Sequence, residues 1–257
     1  MSDEIPIVIP SHLRAGDVKT IGHVLDPEHA EVCVPEGQLD AYRRLQPDLR
    51  LVAHPDSVRG LAAKRQWMYE RWGDLFMLDD DMLHCWHFEH PAKPCDVDPG
   101  SAYDLIQRLY HTALDLDCYL FAFSSFGDPR NYIPQIPFRL NHMPMGGSMG
   151  IRQHPKLAFN PAIVAKDDYW IALLHAAVMP PGERAILIDD RYVFTSLSQT
   201  FKATGGSSDV RTSATEQRDS ELLRAFFGRE VVGEKVRTHR NKASGHASQI
   251  TVRLPWR

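Results

Sequence analysis

Residues 75–81 read Leu-Phe-Met-Leu-Asp-Asp-Asp. An apolar run belongs in a core, whereas three adjacent carboxylates repel one another and resist removal from water. A divalent cation resolves the conflict. Hard oxygen ligands suit Mg²⁺ or Mn²⁺, which also take phosphate oxygens and water. In an extended chain Asp79 and Asp81 share one face and Asp80 points to the other. A polar turn closing a strand is the plainer alternative. A second acidic pair, Asp167 and Asp168 in Lys166-Asp167-Asp168-Tyr169-Trp170, opens an apolar helical pattern. Either aspartate can cap that helix, and a carboxylate so placed can also accept a proton from an attacking hydroxyl.

Other stretches carry weaker signals. Residues 185–191 (AILIDDR) also run from apolar residues into two aspartates, but Arg191 follows at once and can neutralise them. His84, Cys85, His87, His90 and Cys95 are potential zinc ligands at a spacing that matches no familiar closed site. Residues 204–212 (TGGSSDVRT) form either a phosphate-cradling loop or a surface turn. His239 and His246 sit in a basic stretch from which a third metal ligand can come.

The elements that must position these groups follow from periodicity. Residues 5–11, 31–36 and 49–56 are β-branched or apolar runs ending near prolines, which predicts strands. Between them 37–47 can form a helix, with Leu39, Tyr42 and Leu45 on one face. Residues 58–73 predict another, with Leu61, Arg65, Met68 and Trp72 on one face and Gly73 as the stop. Strands alternating with helices imply a parallel sheet covered on both faces, with 75–78 as a central strand. Ligands bind beyond the carboxyl ends of such strands, where the three aspartates fall. A helix starting near Val58 brings its positive N-terminus, Arg59, Lys64 and Arg65 to the same end, an arrangement suited to a metal-bound diphosphate. Further on, 99–117 predicts a helix, 118–126 a strand, 167–179 a helix, 184–194 a strand, 215–228 a helix and 249–256 a last strand. Residues 127–145 hold four prolines and no regular period, which reads as a substrate lid.

The 257 residues suffice for one large domain or two small ones. No apolar run approaches the roughly 20 residues of a membrane span. The first residues lack a basic leader pattern, and the four cysteines form no CxxC pair, which predicts reduced thiols and a cytoplasmic setting. The net charge of −4 gives no general attraction to nucleic acid, yet residues 229–257 carry seven Lys/Arg against two Glu, a local +5 that can hold an anionic partner.

Taken in order, these segments resemble a GT-A glycosyltransferase. IPIVIPSHLR (5–14) is similar to the nucleotide-binding strand and loop, GLAAKRQWMY (60–69) to the helix before the metal motif, FMLDDD (76–81) to that motif, and KDDYW (166–170) to the acidic motif of inverting members. Within that fold the chain resembles the TET-associated glycosyltransferases of bacteriophages, also through GGSMGIR (146–152), TGGSSDVRT and LRAFFG (223–228) with its basic end. The resemblance implies one GT-A-like α/β domain over 1–257, with a mixed, mainly parallel sheet flanked by helices and a Rossmann-like N-terminal half. About 1–82 would bind the nucleotide-sugar, about 83–228 the acceptor, and about 229–257 would be the basic end. It implies transfer of a hexose from a nucleotide-sugar, a UDP-sugar by preference, to a 5-hydroxymethylated pyrimidine in DNA, with Mn²⁺ or Mg²⁺. No membrane is involved, and a phage-encoded enzyme would work in the host cytoplasm. Asp81, Asp79 and His246 would hold the metal. Ser11, Arg14, Arg59, Lys64, Asp79, Asp80, Gly146 and Gly147 would contact the donor. Asp168, or second Asp167, would be the base, since Lys166-Asp167-Asp168 stands where the family pattern has Glu-Asp. Arg130, Tyr132 and Arg139 of the lid and Arg237, Arg240 and Lys242 of the basic end would meet the acceptor DNA. A glycosyltransferase acting on glycans or small molecules, and a nucleotidyltransferase, are the alternatives.

Overall fold

The computed structural model describes residues 4–89, 93–144, 147–196, 211–236 and 248–253. In chain order the first half contains β1 (Ile7–Pro10), a kinked turn α1 (Thr20–His23), β2 (Glu31–Pro35), α2 (Leu39–Leu45), β3 (Leu51–His54), α3 (Leu61–Trp72) and β4 (Leu75–Leu78). A hairpin of β5 (Met82–Glu89) and β6 (Lys93–Asp96) follows, then α4 (Pro99–Asp115), β7 (Leu120–Ser124), β8 (Phe138–Arg139) and β9 (Ser148–Ile151). The remainder is α5 (Asp167–Val178), β10 (Ile186–Ser196), α6 (Ser213–Phe227) and a separate pair, β11 (Val232–Val236) with β12 (Ser248–Val252).

One mixed sheet organises the chain in the order β3-β2-β1-β4-β9-β7-β10-β5-β6, with β8 paired to β10. β1 is parallel to β2 and β4, and β7 is parallel to β10. β9 runs antiparallel between β4 and β7. Hence β1, β4, β7 and β10 all end at the same edge. The apolar runs follow from two-sided burial: every residue of β1, β4 and β7 is buried. Phe76 and Leu78 pack with α4 on one face, while Leu75 and Met77 pack with α3 and α5 on the other. This is the mainly parallel α/β sandwich expected, with the Rossmann-like arrangement in its first half.

Four local expectations need correction. α3 starts at Leu61, because Val58 is held in a turn on Pro55 and Gly60 has φ +86°, which no helix admits. Arg59 therefore lies exposed ahead of the helix. Leu45 of α2 is 54% exposed; only Tyr42 of that helix is buried. Residues 79–81 are not extended: the chain turns directly after Leu78, and the side-chain alternation assumed for the aspartates is lost. Finally, Lys166 occupies the N-cap of α5, with Asp167 and Asp168 as its first two helical residues.

Candidate active site at the carboxyl edge of the sheet

After β1 the chain moves to β2 and β3, then returns to lay β4 on the opposite side of β1. The crevice between the ends of β1 and β4 is thus a topological switch point, where open α/β sheets bind ligands. Ser11 follows β1 and Asp79 follows β4. Backbone bonds fix the aspartate turn: Lys19 N donates to Asp80 O at 2.8 Å, and Thr20 Oγ1 donates to Asp79 O at 2.5 Å. Asp79 N donates to Gly147 O at 2.7 Å, which ties the turn to the start of β9. A Cβ on Gly147 would stand 2.2 Å from Met82 Cε and 2.6 Å from Asp79 Oδ2, so a larger residue would displace these two side-chain ends.

The three aspartates have different partners. Asp80 is buried; its Oδ2 accepts from Ser11 Oγ at 2.5 Å. Ser11 has one proton, so the Tyr42 hydroxyl, 2.8 Å away, donates to Ser11 Oγ and accepts from Arg14 N at 3.0 Å. Arg14 Nη1 lies 3.7 Å from Asp80 Oδ1 and 3.7 Å from Asp81 Oδ2. Asp80 and Asp81 thus share one guanidinium, while Asp79 turns to Arg65 Nη2 at 3.2 Å. The Asp80 side chain is 9% exposed, against 25% for Asp81 and 38% for Asp79. Burial pushes Asp80 up to about 6, with Asp79 and Asp81 adding to the rise against Ser11 and Arg14. Asp79 is also raised, by loss of water first and then by Asp81 and Asp167, against Arg65.

α3 supplies two buried cations. Lys64 Nζ donates to Ser11 O at 2.5 Å, and burial pushes its pKa down to about 8. Arg65 is buried; its Nη1 donates to Asp167 Oδ2 at 2.5 Å while Nη2 reaches Asp79. One guanidinium therefore joins the aspartate turn to the start of α5, bridging residues far apart in sequence. Asp168 instead accepts from the Tyr169 amide at 2.8 Å, and burial, then Asp167, pushes it up to about 6. Five carboxylates (Asp79, Asp80, Asp81, Asp167, Asp168) thus face Arg14, Lys64 and Arg65, which leaves two negative charges over. Lys166 also acts on Asp168, more weakly than Arg65, but its charge is matched by its own partner Glu216. An excess of two charges on hard oxygens fits a divalent ion.

Other expected groups are distributed differently. Ser11 and Lys64 lie beneath the aspartate turn and shape its floor. In the lid segment Arg130 pairs with Asp128 at 2.6 Å, Arg139 pairs with Asp190, and Tyr132 packs against Phe88 with ring centroids 6.0 Å apart. The rival acidic stretch is neutralised as expected: Arg191 grips Asp189 through Nε at 2.9 Å and Nη2 at 2.7 Å. In the zinc candidate stretch His84 bonds Asp96, His87 stacks on Tyr192, and Cys85 is buried while Cys95 is exposed. Among the described residues no three His, Cys, Asp or Glu side chains are grouped as a ready-made metal cage. Gly146, His239, His246, Arg237, Arg240, Lys242 and most of 204–212 lie outside the described residues. The Arg65 bridge was not foreseen from the sequence, although Arg65 on the otherwise apolar face of Leu61, Met68 and Trp72 was a signal for it. Nor was Tyr42 foreseen as the hinge of the Ser11–Arg14 loop, for which no signal existed. Among the described residues no helix is long and apolar enough to cross a membrane.

Residues 5–180 match the family model described as TET-Associated Glycosyltransferase. No curated protein matches the chain.

Proposed function

Because the chain belongs to the TET-associated glycosyltransferase family and is a glycosyltransferase, we propose that it moves a hexose from a UDP-sugar to the hydroxyl of 5-hydroxymethylcytosine in DNA. The observation that carries this reading is the Arg65 bridge. It sets the turn that would face the donor's diphosphate against the helix start that would face the acceptor hydroxyl. Asp167 is engaged by Arg65, which leaves Asp168 as the base. With a pKa near 6, Asp168 is ionised at neutral pH yet basic enough to take a proton in the transition state.

In this mechanism the acceptor oxygen attacks the anomeric carbon as its proton passes to Asp168. The bond from that carbon to the diphosphate oxygen breaks on the opposite side, with inversion. Asp79 and Asp81, the two more exposed members of the turn, would hold Mn²⁺ or Mg²⁺. Such an ion takes one or two carboxylates, completes its shell with water and phosphate, and supplies charge stabilisation for the leaving diphosphate. Arg14 keeps Asp80 and Asp81 in register from below. A base within a duplex cannot reach a site of this kind, so it would have to be flipped out. Arg237, Arg240 and Lys242 are proposed to hold phosphates, which would make DNA affinity fall steeply with salt.

A second reading has an observation in its favour. Arg130 and Arg139 are already paired with aspartates, an arrangement that suits an uncharged acceptor such as a glycan. One experiment separates the two. Labelled UDP-glucose and Mn²⁺ are supplied with hydroxymethylated DNA, unmodified DNA or a free glycan, and the products are analysed by mass spectrometry. A hexose on the hydroxymethylated nucleoside alone supports the DNA reading. Label on the glycan alone replaces it with the second.

A further inference from the structure

We propose that α6, which lies beyond the family-matched residues 5–180, is the clamp that positions the proton-accepting Asp168 and its neighbour Asp167, with Asp219 and Glu216 as its positioning residues. This rests on the reading of Asp168 as the base. Asp219 is buried, and its Oδ2 accepts from the amides of Val164 at 3.0 Å and Ala165 at 2.6 Å, the two residues just ahead of the α5 cap. Its Oδ1 is buried with no partner among the described residues. A carboxylate withdrawn from water is costly, and here its bonds go to one irregular backbone segment. One turn earlier, Glu216 accepts from Lys166 Nζ and from Arg211 Nε. Trp170 of α5 packs on Phe226 and Phe227 of α6, with ring centroids 4.9 and 5.3 Å apart. The α6 start is itself fixed by a capping box between Thr212 and Thr215.

Residues 164–170 are therefore gripped from two directions: Arg65 of α3 takes Asp167 from the donor side, and α6 holds the backbone and Lys166 from the other. Glu216 has a second effect. Asp168 is faced by Asp167 and Lys166 on its own helix and by Arg65 from α3, and Glu216 of α6 pairs with that Lys166. Glu216 compensates Lys166, so less positive charge acts on Asp168 and it remains the stronger base.

The test uses the full chain and two independent readouts. Hydrogen exchange is followed at residues 164–170 in wild type, Asp219→Ala and Asp219→Asn. Turnover is measured with UDP-glucose, Mn²⁺ and hydroxymethylated DNA. Asp219→Ala should raise exchange at 164–170 while β4 and α4 exchange as in wild type, and should lower kcat by about tenfold to a hundredfold, the cost of a misplacement near 1 Å. Its KM for UDP-glucose should stay within about twofold, because binding at the turn is untouched. Asp219→Asn, whose amide oxygen still accepts, should restore most of both. Glu216→Gln should move the acidic limb of kcat to lower pH. Unchanged exchange at 164–170 in Asp219→Ala, or equal damage from Ala and Asn, overturns the clamp. If wild type transfers no sugar with this pair, the proposed acceptor fails while the exchange experiment still decides the clamp.

Discussion

β4 and the first half of β10 are both buried apolar runs on parallel strands, and both lead into aspartates at the same edge of the sheet. In β10 the charge is closed locally. Arg191 grips Asp189 two residues away, Arg139 takes Asp190 from the neighbouring β8, and the strand continues to Ser196. At the end of β4 the chain turns, and the compensating cations come from elsewhere: Arg14 from the loop after β1, Lys64 and Arg65 from α3. Those cations are too few. An acidic pair with its own arginine is a structural feature. The turn after β4 borrows its cations from two other elements and still has negative charge over, which is the ground for proposing a cation there.

The largest test of that contrast concerns the arginines. Arg65→Met should lower stability by about 3–5 kcal/mol in urea denaturation, because it leaves Asp79 and Asp167 without their shared cation, and should abolish turnover. Arg191→Ala should cost less than Arg65→Met, because it strips the cation from one carboxylate, Asp189, rather than from two. The next effect lies in the carboxylates: Asp81→Asn should lower kcat/KM by about 10²–10³, as loss of charge stabilisation in a site does, whereas Asp189→Asn should change it less than about fivefold in the same assay.

A smaller effect has an unusual sign. The folded pKa of Asp168 is raised to about 6, so the folded state binds its proton more tightly than the unfolded chain. Ionised Asp168 therefore weakens the fold above about pH 6, and the penalty disappears below the ordinary carboxylate range. Asp168→Asn should lose turnover, retain donor binding, and melt higher than wild type at pH 8 by about 2–4 °C, roughly 1 kcal/mol at this chain length. That gain should vanish near pH 4. A small change is expected for Gly147→Ala, whose Cβ would press on the side-chain ends of Met82 and Asp79 and should weaken activity by about threefold, or roughly 0.7 kcal/mol.

Much of this was legible in the sequence wherever burial was two-sided. The runs that became β1, β2, β4, β7 and β10 are continuous and apolar, and the intervening helices carry a clear period or a stop such as Gly73. β9 was not legible, because Ser148-Met149-Gly150-Ile151 is short and mixed, with Gly150 present to admit the Phe121 ring. The β5–β6 hairpin was obscured by His84, Cys85, Trp86 and His87, which resemble a ligand set and serve instead as strand residues with stacked rings. In the site, residue types pointed to Asp79, Asp81 and Asp168. The pairings did not follow from them: Ser11 with Asp80, Arg65 with Asp167 and Asp219 with Ala165 join residues 54 or more apart, and no local pattern encodes such contacts.

The most direct test is calorimetric titration of UDP-glucose, with and without Mn²⁺, into wild type, Asp81→Asn and Asp189→Asn. The account predicts that Mn²⁺ tightens donor binding in wild type and Asp189→Asn and has no effect in Asp81→Asn. Mn²⁺-dependent binding that survives in Asp81→Asn and is lost in Asp189→Asn would contradict it.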